Sequence, residues 1–212
     1  MEKWIIFDFD GTIADSVKTS VKAYNILAEK YKLPLISKEK LAVMKESSIK
    51  KHLKENNISL IKMLFLRKKF LKLYESLINE ITLFEEMRDL LIYLDNKGFL
   101  LAVLSSNKIK HIKDIANKFN LNMFDTMIGG ASLFGKEHLL KKLIKKKNIN
   151  LSNAVYVGDE SRDIIASKKV NLKIISVSWG YEHKDVIVKQ IPDYIVDNPN
   201  ELKEVIISHF AK

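Results

Sequence analysis

WIIFDFDGTIADS, residues 4–16, carries an apolar strand out to a turn and sets two carboxylates, Asp8 and Asp10, at its end. A buried carboxylate costs on the order of several kcal/mol unless something pairs with it. The stretch therefore demands a counter-charge elsewhere in the chain. Similar β-branched or aromatic runs recur at Leu100 to Leu104, Thr126 to Ile128, Ala154 to Val157 and Ile174 to Val177, with the first spanning Trp4 to Phe9. Each is nearly all apolar, as strands covered on both faces are. Amphipathic segments of helix length lie between most of them, at about 84–97, 108–120, 136–148 and 161–170. Strand and helix in alternation predict βαβ units and an α/β fold on a Rossmann-like parallel sheet. In such sheets ligands bind at the carboxyl ends of the strands, near the point where strand order reverses.

One region breaks the rhythm. From about Val17 to Glu80 only helical patterns appear: Val17, Val21, Tyr24, Leu27 and Tyr31 share a face, and IKMLFLRKKFLKLYESLI at 61–78 is a second amphipathic run. The economical expectation is a helical insertion, residues 16–81, acting as a lid on an α/β core made of residues 1–15 and 82–212.

Bulk composition narrows the class. The 212 residues are 47% hydrophobic, enough for a substantial core, and hold no cysteine, which excludes a disulfide framework and fits a reducing compartment. MEKWIIFDFDG lacks a signal-peptide layout, and no stretch approaches the roughly eighteen uninterrupted apolar residues of a membrane span. The expectation is a soluble, cytoplasmic protein, monomer or homodimer. A net charge of +10 invites a nucleic-acid reading, but the arginines are Arg67, Arg88 and Arg162, and the remaining basic residues are lysines. Base-edge readout and stacking lean on arginine, whereas lysines in runs such as KKLIKKKN at 141–148 read as a solvated helix face.

The strand-end rule places Asp8 and Asp10 at the ligand edge, with Gly11 and Thr12 in the turn that brings both acids to one ligand. The Ala154 run ends likewise in GDESRD, where Asp159 and Asp163 stand one helical turn apart. Acids converging at one edge repel unless a hard cation sits among them, and an all-oxygen set selects Mg²⁺. Either acid pair alone could be a capped turn. LAVLSSNK at 101–108 supplies a hydroxyl from Ser105, with Ser106 and Asn107 beside it and free backbone N–H groups at a helix start, a ready anion site. Lys136 follows Gly135 at another helix start and can reach an anionic group. Acids, a metal, a hydroxyl, amides and a lysine suit a phosphate ester and its transition state. Trp179, Gly180 and Tyr181 read as packing after a strand, and His52, His111, His138, His183 and His209, lacking ligand-like spacing, as ordinary polar residues.

DxDGT at 8–12, a strand ending in Ser105, Lys136, and GDxxxD at 158–163 resemble, in order and rough spacing, the haloacid dehalogenase-like phosphohydrolase superfamily. The resemblance covers the whole chain, including the position of that superfamily's helical cap. LAVLSSNK, FGKEHLLKKLIK at 134–145 and VYVGDESRDIIASKKVNLKIISVSWGY at 155–181 are similar to its phosphoglycolate-phosphatase-like branch. The resemblance implies that Asp8 is the nucleophile, forming an aspartyl-phosphate, and that Asp10 is the general acid and then the base. It implies Mg²⁺ bound by Asp8, the Asp10 carbonyl and Asp159, with Asp163 a ligand through water or an orienter of Lys136. Gly11, Thr12, Ser105, Ser106, Asn107 and Lys136 would contact a small phosphate ester. An acid at position 10 favours monoester hydrolysis or phosphomutase chemistry, the latter needing a second anchor such as Lys45 or Lys50. A polynucleotide end-processing enzyme and a non-catalytic phospho-ligand binder are the readings from other classes. LFEEM at 83–87 stands where close relatives carry a Pro-Gly pair.

Overall fold

A computed structural model describes residues 2–37, 60–130 and 135–211. It divides into two compact units, Met1–Asp15 with Thr82–Lys212, and Ser16–Ile81. Lys45, Lys50 and His52 lie outside the described residues.

The larger unit is built on β1 (Trp4–Phe7), after which come the short β2 (Ala14–Asp15) and, beyond the helical unit, β3 (Thr82–Leu83). Then follow α3 (Met87–Asn96), β4 (Leu100–Ser105), α4 (Ile109–Lys118), β5 (Phe124–Gly129), α5 (Gly135–Lys147), β6 (Ala154–Gly158), α6 (Ser161–Lys169), β7 (Lys173–Val177), α7 (Lys184–Val188), β8 (Tyr194–Val196) and α8 (Pro199–Phe210). Among the described residues, the helices of the smaller unit are α1 (Val17–Tyr31) and α2 (Leu60–Ser76).

Six strands form one parallel sheet in the order β5-β4-β1-β6-β7-β8, with β1 in the middle. Every residue of β1 is buried, which is why its sequence is continuously apolar instead of alternating. Chain order reverses at β1: the chain steps out to β4 and β5 on one side, then returns to β6, β7 and β8 on the other. The crevice outside the carboxyl ends of β1 and β6 is where this topology places a ligand. Register sharpens this, because Phe7 is level with Val103 and Val157, so Asp8, Ser105 and Asp159 emerge at the same edge. Below it, Ile6, Leu104, Tyr156 and Ile174 pack with Leu140 and Leu143 of α5.

Several boundaries differ from the sequence expectation. β1 stops at Phe7 because Phe9 already belongs to a turn, its carbonyl accepting from the N–H groups of both Ile13 and Ala14 at 2.9 Å. β2 and β3 pair antiparallel through two residues each, too few to show a period. α3 begins at Met87, since Glu86 adopts a left-handed φ of 62° that ends any earlier helix. The closing β8 and α8 were not expected. β8 has three residues, short of a recognisable run.

In the smaller unit α1 buries Val17, Ala23, Tyr24, Leu27 and Ala28. Tyr24, Ala28 and Ile36 form a core against which Val21, Leu33 and Phe70 of α2 pack. Among the described residues no helix is long and apolar enough to cross a membrane.

Candidate active site

Asp8 leaves β1 with its N–H donated to the Val157 carbonyl at 2.8 Å, so the ladder holds its backbone up to the ligand edge, and its side chain is buried. The turn beyond is closed by the Gly11 N–H donating to the Ala14 carbonyl at 2.9 Å. Gly11 has a φ of 85°, and a Cβ there would fall 2.2 Å from Asp159 Oδ2, so position 11 requires glycine for conformation and for space. Asp159, fully buried at the end of β6, is gripped from two loops: Thr12 Oγ1 donates to its Oδ1 at 3.0 Å, and the Tyr181 N–H to its Oδ2 at 2.7 Å. Trp179 ties those loops together, its indole N–H donating to the Thr12 carbonyl at 3.1 Å while its ring meets Phe84 edge-on.

The counter-charge that the opening stretch demanded is Lys136, at the start of α5. Its ammonium lies 2.8 Å from Asp8 Oδ2 and is paired with Asp163 Oδ1, all three side chains being almost wholly buried. Burial disfavours the Lys136 charge, yet Asp163 and Asp8 outweigh it and hold the group above the usual lysine range. Burial pushes the Asp8 carboxyl up to about 7 against the pull of Lys136, with Asp163 adding to the rise. Asp163 is fixed at both oxygens. Tyr156 OH donates to Oδ1 at 3.2 Å, and the Glu160 N–H to Oδ2 at 3.1 Å as one half of a capping box that starts α6. Burial, with Asp163 and Asp8 close by, keeps the Tyr156 hydroxyl protonated well past its ordinary range.

Ser105 ends β4 buried, donating to Asp10 Oδ2 at 3.1 Å and accepting from the Asn107 N–H at 3.0 Å. The Asn107 amide nitrogen spans both Asp10 oxygens at 3.3 and 3.4 Å. Ser106 Oγ accepts from Arg162 Nη1 at 3.3 Å.

Asp8, Asp159, Glu160 and Asp163 each offer a carboxylate oxygen, all within 4.8 Å of one another. The donor set is entirely hard oxygen, and it fits a hard divalent cation. Its electrostatics point the same way: burial, then Glu160, Asp8 and Asp163, push the Asp159 carboxyl well above its usual range, a penalty that a bound cation would relieve. The Asp10 carboxylate is outside this group and faces Ser105 and Asn107 instead. Glu160, which the sequence offered only as part of GDESRD, is ion-paired with Arg162 and also joins the acids. His111, read as ordinary, is buried with Nδ1 3.0 Å from Asn107 Oδ1. A four-residue spacing on one helix start was the available signal, and it resembles countless incidental pairs.

Residues 5–177 match the family model described as haloacid dehalogenase-like hydrolase. Over 203 residues the chain is 27% identical to a phosphoglycolate phosphatase of Synechococcus elongatus, covering 95% of this chain and 96% of that one. A phosphoglycolate phosphatase of Vibrio cholerae is 26% identical over 219 residues, 97% of each. Among solved structures, a "predicted phosphatase" from Clostridium acetobutylicum superposes with a TM-score of 0.86 at 23% identity, covering 98% of this chain and 99% of that one. A haloacid dehalogenase-like family hydrolase from Streptococcus pneumoniae does so with a TM-score of 0.84 at 19% identity, covering 99% and 98%. At those identities the structures speak for the fold.

Proposed function

The chain belongs to the haloacid dehalogenase-like hydrolase family and is a phosphoric monoester hydrolase, and from that premise we propose a Mg²⁺-dependent phosphatase acting on a small-molecule ester through an aspartyl-phosphate. The observation that carries the reading is the buried Asp8–Lys136–Asp163 arrangement at the reversal point of the sheet, with Asp10 held apart from it by Ser105 and Asn107. Two acids in different surroundings suit two different tasks.

In the first step a carboxylate oxygen of Asp8 attacks phosphorus. The bond to the ester oxygen breaks, and Asp10 gives its proton to that leaving oxygen. In the second step Asp10, now a carboxylate, takes a proton from the attacking water, and the bond between phosphorus and Asp8 breaks to release inorganic phosphate and restore Asp8. Lys136 reaches Asp8 Oδ2 and so stands where a phosphoryl oxygen on Asp8 would need neutralising. Asp163, already accepting from Lys136, Tyr156 and the Glu160 N–H, serves to orient that lysine. Asp8 and Asp159, with the Asp10 carbonyl that the family resemblance adds, would hold the cation. Mg²⁺, when bound, would supply the charge that lets Asp8 stay ionised as a nucleophile beside Asp159. Phosphoglycolate is the first substrate to try, because full-length relatives carry that name.

The test is release of inorganic phosphate from a panel of phosphomonoesters, with Mg²⁺ or with chelator, for the wild type and Asp8→Asn. Metal-dependent release that vanishes in the variant is expected. Wild-type protein that releases phosphate from none of the esters would sink the reading.

A further inference from the structure

Asn107 lies beside the proposed acid–base residue, and its amide orientation follows from chemistry. The Lys108 N–H can only donate, and it lies 2.8 Å from one side-chain atom of Asn107, so that atom is the oxygen. The other end, the NH₂ group, must then face Asp10, where it meets both carboxylate oxygens at 3.3 and 3.4 Å. His111 Nδ1 is 3.0 Å from the same Asn107 oxygen, so Nδ1 carries the proton and donates. His111 is 1% exposed, which makes this a built contact and not a surface accident. The chain reads His111 Nδ1–H to Asn107 Oδ1, then Asn107 NH₂ to Asp10, with Ser105 donating to Asp10 from the other side.

We infer that Asn107 and His111 are positioning residues for Asp10: His111 locks the Asn107 amide so that its NH₂ group aims the Asp10 carboxyl at the leaving oxygen. This deepens the proposed function and rests on it. Asn107 then acts on the acid and not on the substrate, contrary to the expectation that grouped it with the phosphate contacts. Long hydrogen bonds such as the 3.3 Å contact commonly tighten when substrate binds.

The consequence is a selective one. An alkyl leaving group departs as a strongly basic alkoxide and needs the proton, whereas p-nitrophenolate departs without it. The parameter kcat/KM reports the steps up to phosphoryl transfer to Asp8, so the later role of Asp10 as base does not enter.

The experiment compares phosphoglycolate with p-nitrophenyl phosphate for the wild type, His111→Ala, His111→Gln and Asn107→Ala. General acid catalysis is worth about a hundredfold or more, so partial misplacement should lower kcat/KM for the alkyl ester about tenfold more than for the aryl ester in His111→Ala and Asn107→Ala. Glutamine can donate to the Asn107 oxygen, and His111→Gln should recover part of the loss. Equal losses on both esters, a rise in KM alone, or no loss would each overturn the inference. A second measurement stands apart from turnover: ¹⁵N NMR of His111 should show the Nδ1–H tautomer in the wild type, and an Nε2–H tautomer would overturn the lock even if the wild type hydrolyses neither ester.

Discussion

Lys136 stands between Asp8 and Asp163 in a setting that would otherwise forbid two carboxylates. Methionine keeps much of its length and removes the charge. Lys136→Met should therefore lower unfolding free energy by about 3 kcal/mol, since breaking a buried pair strands its partners. It should also lower turnover at least a hundredfold, the usual consequence of losing one preorganised charge at the reacting oxygen. Urea unfolding and phosphate release measure the two effects, and a variant as stable and as active as the wild type would remove Lys136 from the site. At this scale the sequence was informative where chemistry repeats a spacing. Asp8, Asp10, Ser105, Lys136, Asp159 and Asp163 could be picked out by strand ends and glycines, and the fold brings them to one edge. What could not be read were side-chain contacts between different elements and loops: Thr12 to Asp159, Trp179 to the Thr12 carbonyl, and Tyr156 of β6 to Asp163 of α6. Those depend on loop paths and on which way a strand residue faces, and no local pattern encodes them.

Elements carry their own electrostatics. Glu137 on α5 accepts from Lys141 one turn on and is ion-paired with Lys169 of α6, at 2.7 and 2.8 Å. The hydrogen bonds from these two lysines pull its carboxyl down from 4.5 to about 2. The folded state thus binds its proton less readily than the unfolded chain, so the contribution is present above about 4.5 and is lost as pH falls toward about 2. Glu137→Gln should therefore be less stable than the wild type at pH 7, with the gap in urea midpoint closing as pH drops from about 4.5. The gap should also shrink in high salt, as an exposed pair is screened. A gap that stays constant down to pH 3 would assign the effect to packing and not to charge. The strongest strands and α3 to α6 were legible because buried strands read as unbroken apolar runs and surface helices as periodic ones. β2, β3 and β8 escaped because two or three residues contain no period, and pairing with a neighbour is what makes them strands. The start of α3 was misplaced for a different reason. Glutamate seldom takes a left-handed φ, so Glu86 gave no sign of the turn that a glycine would have announced.

At the scale of the whole molecule, the chain is strongly basic, with a net charge of +10, yet it gathers its buried acids at a single edge of the sheet. Asp8 and Asp159 meet because β1 and β6 are neighbours in the sheet, although they are far apart in sequence, so the carboxylate group exists in the folded chain and not in the unfolded one. A ligand that binds only the folded state stabilises it in proportion to its occupancy, by about 2.7 kcal/mol at a hundred times its dissociation constant. Mg²⁺ should accordingly raise the thermal midpoint of the wild type in a saturable way, independently of any substrate or turnover. Asp159→Asn removes a charge that burial and three neighbouring acids already oppose, so the variant should fold without metal. Its asparagine oxygen can still accept from the Tyr181 N–H while its NH₂ group turns to the Thr12 hydroxyl, which can accept as well as donate, but it offers the cation no negative charge. The Mg²⁺-dependent rise should disappear in the variant, while NaCl at matched ionic strength should leave both proteins nearly unchanged. An equal rise in wild type and variant would place the cation elsewhere on the surface, and the acids at the sheet edge would then need another explanation for their crowding.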